Sequence, residues 1–77
     1  MKVEFKVQYN PCVYNPLTCK IPVFVKAYID GEEIDNFMAL FDSNYLAEEF
    51  RDFARELIAE GFNFTDYHAL KHEYAAY

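Results

Sequence analysis

The sequence predicts a single α+β domain over residues 1–77: a three-stranded antiparallel sheet, one amphipathic helix packed on it, and a short C-terminal helix or fourth strand. Three observations predict it. Residues 2–9 alternate apolar and polar side chains, an Asp-Gly pair separates two β-rich runs at 21–29 and 33–41, and residues 44–60 repeat their apolar side chains at helical spacing.

In the first run, KVEFKVQY, Val3, Phe5, Val7 and Tyr9 share one face and Lys2, Glu4, Lys6 and Gln8 the other, the pattern of a half-buried strand. The connection NPCVYNPLTC follows, with two of the three prolines and both cysteines, Cys12 and Cys19. Tyr-Asn-Pro occurs at 9–11 and again at 14–16, which reads as two successive turns. Residues 21–29, IPVFVKAYI, form the strongest β stretch, and Asp30-Gly31 supplies a tight hairpin turn of the kind that needs positive φ.

Folding the chain back at that turn sets Lys26 opposite Asp35, Phe24 opposite Phe37 and Val23 opposite Met38, with a third strand from about Glu33 to Phe41. In this register Ile21, Val23, Val25, Ala27 and Ile29 join Ile34, Met38 and Leu40 on one side. Phe24, Tyr28, Phe37 and Phe41 occupy the other. One helix covers only one of two apolar faces, so the aromatic face is expected to be covered by another element of the chain or by a second copy.

Asn44–Glu60 is the main helix. Leu46, Phe50, Phe53, Ala54, Leu57 and Ile58 gather on one side, and Glu48, Asp52, Glu56 and Glu60 recur every fourth residue around the other. Asp42, Ser43 and Asn44 are all competent N-caps, and Gly61 is the expected stop. Beyond it Thr65 is suited to cap a second helix, with Tyr67, Leu70, Tyr74 and Tyr77 on one face. Read as a strand, the same stretch puts Leu70 and Tyr74 on a face with His68 and His72. The stretch Phe53–Leu70, FARELIAEGFNFTDYHAL, resembles the helix, Gly-aromatic-Asx-aromatic-Thr turn, helix of leader segments in some ribosomally made peptide precursors. The resemblance implies a second helix and no function.

Charge is distributed in blocks. Lys2, Lys6, Lys20 and Lys26 face only Glu4 in residues 1–29, for +3; residues 30–60 hold ten acids against Arg51 and Arg55, for −8; the remainder is −1, giving −6 overall. A surface of this sign repels nucleic acid and anionic membranes and attracts basic partners, or it simply keeps an apolar small domain in solution. No apolar run approaches the roughly 20 residues of a membrane span, and the N-terminus does not read as a secretory signal, so the expected compartment is the cytoplasm.

Catalytic chemistry finds few footholds. Gly31 and Gly61 are the only glycines and both serve turns, which excludes a phosphate-binding loop. The single serine, Ser43, is a capping residue. Carboxylates on a solvated helix face have no reason for the raised pKa that acid–base catalysis needs. Cys12, Cys19, His68 and His72 supply the donor types of a zinc site, with the histidines at i and i+4, but the cysteine spacing is wider than zinc knuckles use. A nucleic-acid reading, with Tyr9, Tyr14 and Tyr28 as stacking surfaces beside the four lysines, conflicts with the overall charge.

The leading expectation is a non-catalytic protein-binding module without a cofactor. Glu32, Glu33, Asp35, Glu48, Glu49, Asp52, Glu56 and Glu60 would dock on a basic, nucleic-acid-handling protein. In composition it is similar to virus-encoded DNA-mimic inhibitors of the anti-CRISPR and antirestriction kind, which would place it in a host cytoplasm. The alternatives are a structural or regulatory homodimer that buries Phe24, Tyr28, Phe37 and Phe41, and a zinc-stabilised binding module.

Overall fold

The protein's structure is a computed structural model that describes residues 1–9 and 20–76. Three strands, β1 (Val3–Tyr9), β2 (Ile21–Ile29) and β3 (Glu32–Phe41), precede two helices, α1 (Asn44–Ala59) and α2 (Phe64–Tyr74). The sheet is antiparallel throughout in the order β1-β2-β3, so the most apolar strand is central. The α+β architecture expected from the sequence is present, and the last segment is helical. The two Tyr-Asn-Pro turns, Cys12, Cys19, Tyr14 and Tyr77 lie outside the described residues.

Asp30 and Gly31 take φ of 50° and 84°, which identifies the tight turn between β2 and β3. The Asp30 carboxylate also accepts from the Lys2 backbone N–H at 2.8 Å, and the Asp30 N–H donates to the Lys2 carbonyl at 2.8 Å, so the turn is tied to the start of β1.

The hairpin register differs from the expected one. Next to the turn the pairs are Ile29 with Glu32 and Tyr28 with Glu33, but Ala27 then faces Asp35, leaving Ile34 as an extra residue in β3. Past this bulge Lys26 faces Asn36, Val25 faces Phe37, Phe24 faces Met38 and Val23 faces Ala39. A one-residue slip exchanges the faces of a strand. Phe37, Ala39 and Phe41 therefore join Ile21, Val23, Val25 and Ala27 on the inner face. Met38 and Leu40, expected there, point outward with Phe24 and Tyr28. Ile34, also expected inside, is 48 % exposed.

Both helices lie on that inner face, α1 chiefly over β1 and β2, α2 over β3. The second helix thus does not cover the other side of the sheet. Ser43 is the N-cap of α1, its hydroxyl accepting from the Leu46 N–H at 3.2 Å, and the helix closes at Glu60 and Gly61, whose φ of 107° suits glycine. Asn63, not Thr65, caps α2. Its side chain accepts from the Asp66 N–H at 2.9 Å, and the Asp66 carboxylate accepts from the Asn63 N–H at 3.2 Å, a complete capping box.

Ala47, Phe50 and Ala54 are buried on α1, the two alanines letting its backbone approach the sheet. Aromatic rings close both ends of the core. Phe5 meets Phe62, Phe64 and Tyr67 at centroid distances of 4.8, 5.4 and 5.7 Å, while Phe50 meets Phe41 at 5.1 Å and Tyr74 at 4.7 Å. Such pairs contribute about 0.5–1.5 kcal/mol each beyond the area they bury. At the free edge of β3 the Ala76 N–H donates to the Met38 carbonyl at 2.9 Å, so the extended residues after α2 occupy part of that edge.

Candidate functional site

The charged surface is built by α1. With Ala47, Phe50 and Ala54 turned to the sheet, helical geometry leaves Glu48, Glu49, Asp52, Glu56 and Glu60 on the outward half, and all five are exposed. Successive members of the four-residue series are about 6 Å apart along the axis, and each step turns the stripe by about 40°. It begins on the flank of Arg51 and ends beside α2.

Asp52 alone in this group has a cationic partner among the described residues, Arg51 Nε at 3.0 Å. The Arg51 guanidinium also sits over the Tyr9 ring, 5.3 Å from its centroid. Tyr9 donates to Asn44 Oδ1 at 2.8 Å, and partial burial together with the nearby Glu48 charge raises its pKa despite Arg51. Arg51 is therefore held on the β1 side, and among the described residues no other cation pairs with the outward stripe.

The hairpin acids do not join it. Glu33 points to the outer side of the sheet and pairs with Lys26 at 3.6 Å. Asp35 points inward beneath α2, where Lys71 Nζ donates to both its oxygens at 3.3 and 3.0 Å. Burial acts to raise the Asp35 pKa, but the bond from Lys71, the Asn36 backbone and the Lys71 charge outweigh it and hold the pKa below its ordinary value. Glu32 stays exposed at the tip. Of the eight carboxylates expected to act together, five form one surface, two are engaged by lysines elsewhere, and Glu32 belongs to the turn.

Tyr67 sits against this pair. Its side chain is fully buried, and its hydroxyl is the one buried side-chain polar atom among the described residues without a hydrogen-bond partner of good geometry. Burial raises its pKa strongly, reinforced by the Asp35 carboxylate close by.

The proposed aromatic dimer face is divided by the register shift. Phe24 and Tyr28 remain on the outer side, half-buried, with Lys6 Nζ 4.9 Å from the Tyr28 ring centroid. Phe37 is buried against Tyr67, and half-buried Phe41 packs on Phe50 on the inner side, so the four rings do not share one face. His68 and His72 lie one turn apart on α2, both exposed, with the His68 ring near those of Phe64 and Tyr67. Their expected zinc partners Cys12 and Cys19 lie outside the described residues, and no group of three or more metal-ligating side chains occurs among the described ones.

One feature was not foreseen. Leu46 and Phe53, expected in the buried stripe, remain 42 % and 45 % exposed and line a furrow between α1 and α2. The only hint in the sequence was the width of the apolar arc, since Leu46 and Phe53 stand on its margin, seven residues apart. No helix among the described residues is long and apolar enough to cross a membrane.

No family model, curated protein or solved structure matches this chain. The functional reading consequently rests on the placement of its own residues.

Proposed function

We propose that this protein is a non-catalytic binding module that docks the acidic face of α1 on a basic, nucleic-acid-handling protein in the cytoplasm, as DNA-mimic inhibitors of the anti-CRISPR and antirestriction kind do. The observation that carries the reading is the outward stripe of α1, where Glu48, Glu49, Glu56 and Glu60 are exposed and have no cationic partner among the described residues, whereas Glu33 and Asp35 elsewhere are paired. A carboxylate every 6 Å or so along one line is within a factor of two of the 3.4 Å phosphate spacing of a DNA strand. A channel shaped for a nucleic-acid backbone would meet a familiar charge pattern on this helix.

The test is capture from lysate by tagged protein at low and moderate salt, with the wild type and the Asp52→Lys/Glu56→Lys double variant compared, followed by competition with duplex DNA. Binding should weaken with salt, fall at least about tenfold in the double variant, and be displaced by DNA. Capture that survives charge reversal unchanged would sink the reading.

A further inference from the structure

We infer that the furrow between α1 and α2 receives one cationic amphipathic helix of the partner. The inference deepens the acidic-module reading and rests on it. Both helices pack on the sheet, yet no Cα of one comes within 8 Å of a Cα of the other, which is wider than directly packed helices. Two open hollows result, of about 340 and 410 Å³. Phe53 lines both, so the two hollows adjoin along one furrow.

Its floor is apolar: Phe41, Phe50 and Tyr74 at one end, Leu57, Phe62 and Leu70 at the other. Its rims are negative on both sides, Glu49 and Glu60 from α1, Asp66 and Glu73 from α2, and neither Lys nor Arg is among the lining residues. The four carboxylates bring like charge to both sides of the furrow, and a cationic occupant offsets it while covering Leu46 and Phe53.

Charge complementarity and shape therefore specify the occupant. An apolar stripe must enter between the helices, and Lys or Arg must flank it on both sides, the arrangement of a basic amphipathic helix laid in a groove. From Leu46 to Glu60 the groove runs about 21 Å along α1, the length of roughly 14 helical residues. A neutral apolar helix would leave the rim carboxylates partly desolvated and unpaired, and an unpatterned basic segment would leave the floor wet. A small molecule would be poorly enclosed, because the hollows are open along their length.

Three labelled synthetic peptides test this: one with leucines at i, i+3, i+4 and i+7 among lysines, one of the same composition with the leucines scattered, and one with helical leucine spacing and glutamines for lysines. Affinities are measured by fluorescence anisotropy, and the site is mapped by backbone amide chemical shifts. The patterned cationic peptide should bind about tenfold or more tightly than either control and shift amides near Phe53, Leu57 and Leu70. Phe53→Ala should cut that affinity about tenfold with the scattered peptide unaffected, and Glu49→Gln/Glu60→Gln should weaken it and flatten its salt dependence.

Equal binding of patterned and scattered peptides would overturn the groove while leaving the acidic module standing. Equal binding of the glutamine peptide would overturn the role of the rims, and shifts confined to the outer side of the sheet would overturn the location. No binding of any lysine peptide at low salt would overturn both readings. Self-association that Phe53→Ala abolishes would assign the groove to a second copy and refute the proposal.

Discussion

Replacing Glu56 by lysine should make the protein more stable and a weaker binder at once. Glu56 stands on the exposed side of α1 with Asp52 one turn before it and Glu60 one turn after. In the wild type both i, i+4 pairs are repulsive, each at about 0.2–0.5 kcal/mol. Lysine turns both into attractive pairs of similar size, the one after Asp52 in the better orientation. The last turn of α1 carries no basic residue, so a positive charge there also complements the helix dipole, for about 0.3 kcal/mol or more. The total is about 1–2 kcal/mol, and each kcal/mol raises the Tm of a domain this size by roughly 4–8 °C. Urea unfolding followed by circular dichroism, at low and high salt, measures it. The gain should shrink as salt screens the charges. A variant no more stable than wild type at low salt would show that Glu56 is already neutralised in the folded protein. The outward stripe would then not be the unpaired charge on which the function rests.

Three further outcomes follow from the packing. Tyr67→Phe removes a buried hydroxyl without a well-placed partner, so it should leave stability unchanged or raise it by up to about 1 kcal/mol in the same urea assay; a loss of more than that would mean the hydroxyl donates to Asp35. Asp35 has a folded-state pKa below its unfolded value. The stability it contributes is therefore present above the ordinary carboxylate pKa of about 3.9 and is lost as pH falls through the lower folded value. Asp35→Asn should flatten that acid limb of a stability–pH curve. Phe50→Ala, which empties the contact with Phe41 and Tyr74, should cost about 3–5 kcal/mol of the roughly 4–12 kcal/mol such a domain holds, while half-exposed Phe53→Ala costs about 1 kcal/mol or less.

The sequence by itself determined the elements and their order, because each carries a local signal. Alternation marks β1, the positive-φ preference of Asp30-Gly31 marks the turn, and the spacing of Phe50, Ala54, Leu57 and Ile58 marks α1, with Ser43 and Gly61 as its punctuation. The exposed acids of α1 were legible for the same reason: a helix with a known buried face has a known outward one. Even Asn63 as the cap of α2 had a signal, the acid three residues later at Asp66.

Only the tertiary structure decided the faces of β3, the side on which α2 packs, and the furrow. The bulge at Ile34 leaves no mark in composition, since an apolar residue fits an alternating strand in either register. Yet that single extra residue turns Asp35 toward Lys71 and sends Phe37 and Phe41 inward, with Met38 and Leu40 outward. The furrow is likewise a property of the distance between two helices packed on one sheet, with Tyr67 of α2 seated on Phe5 and Phe37 and Phe50 of α1 meeting Tyr74, a spacing that no local signal in the sequence encodes.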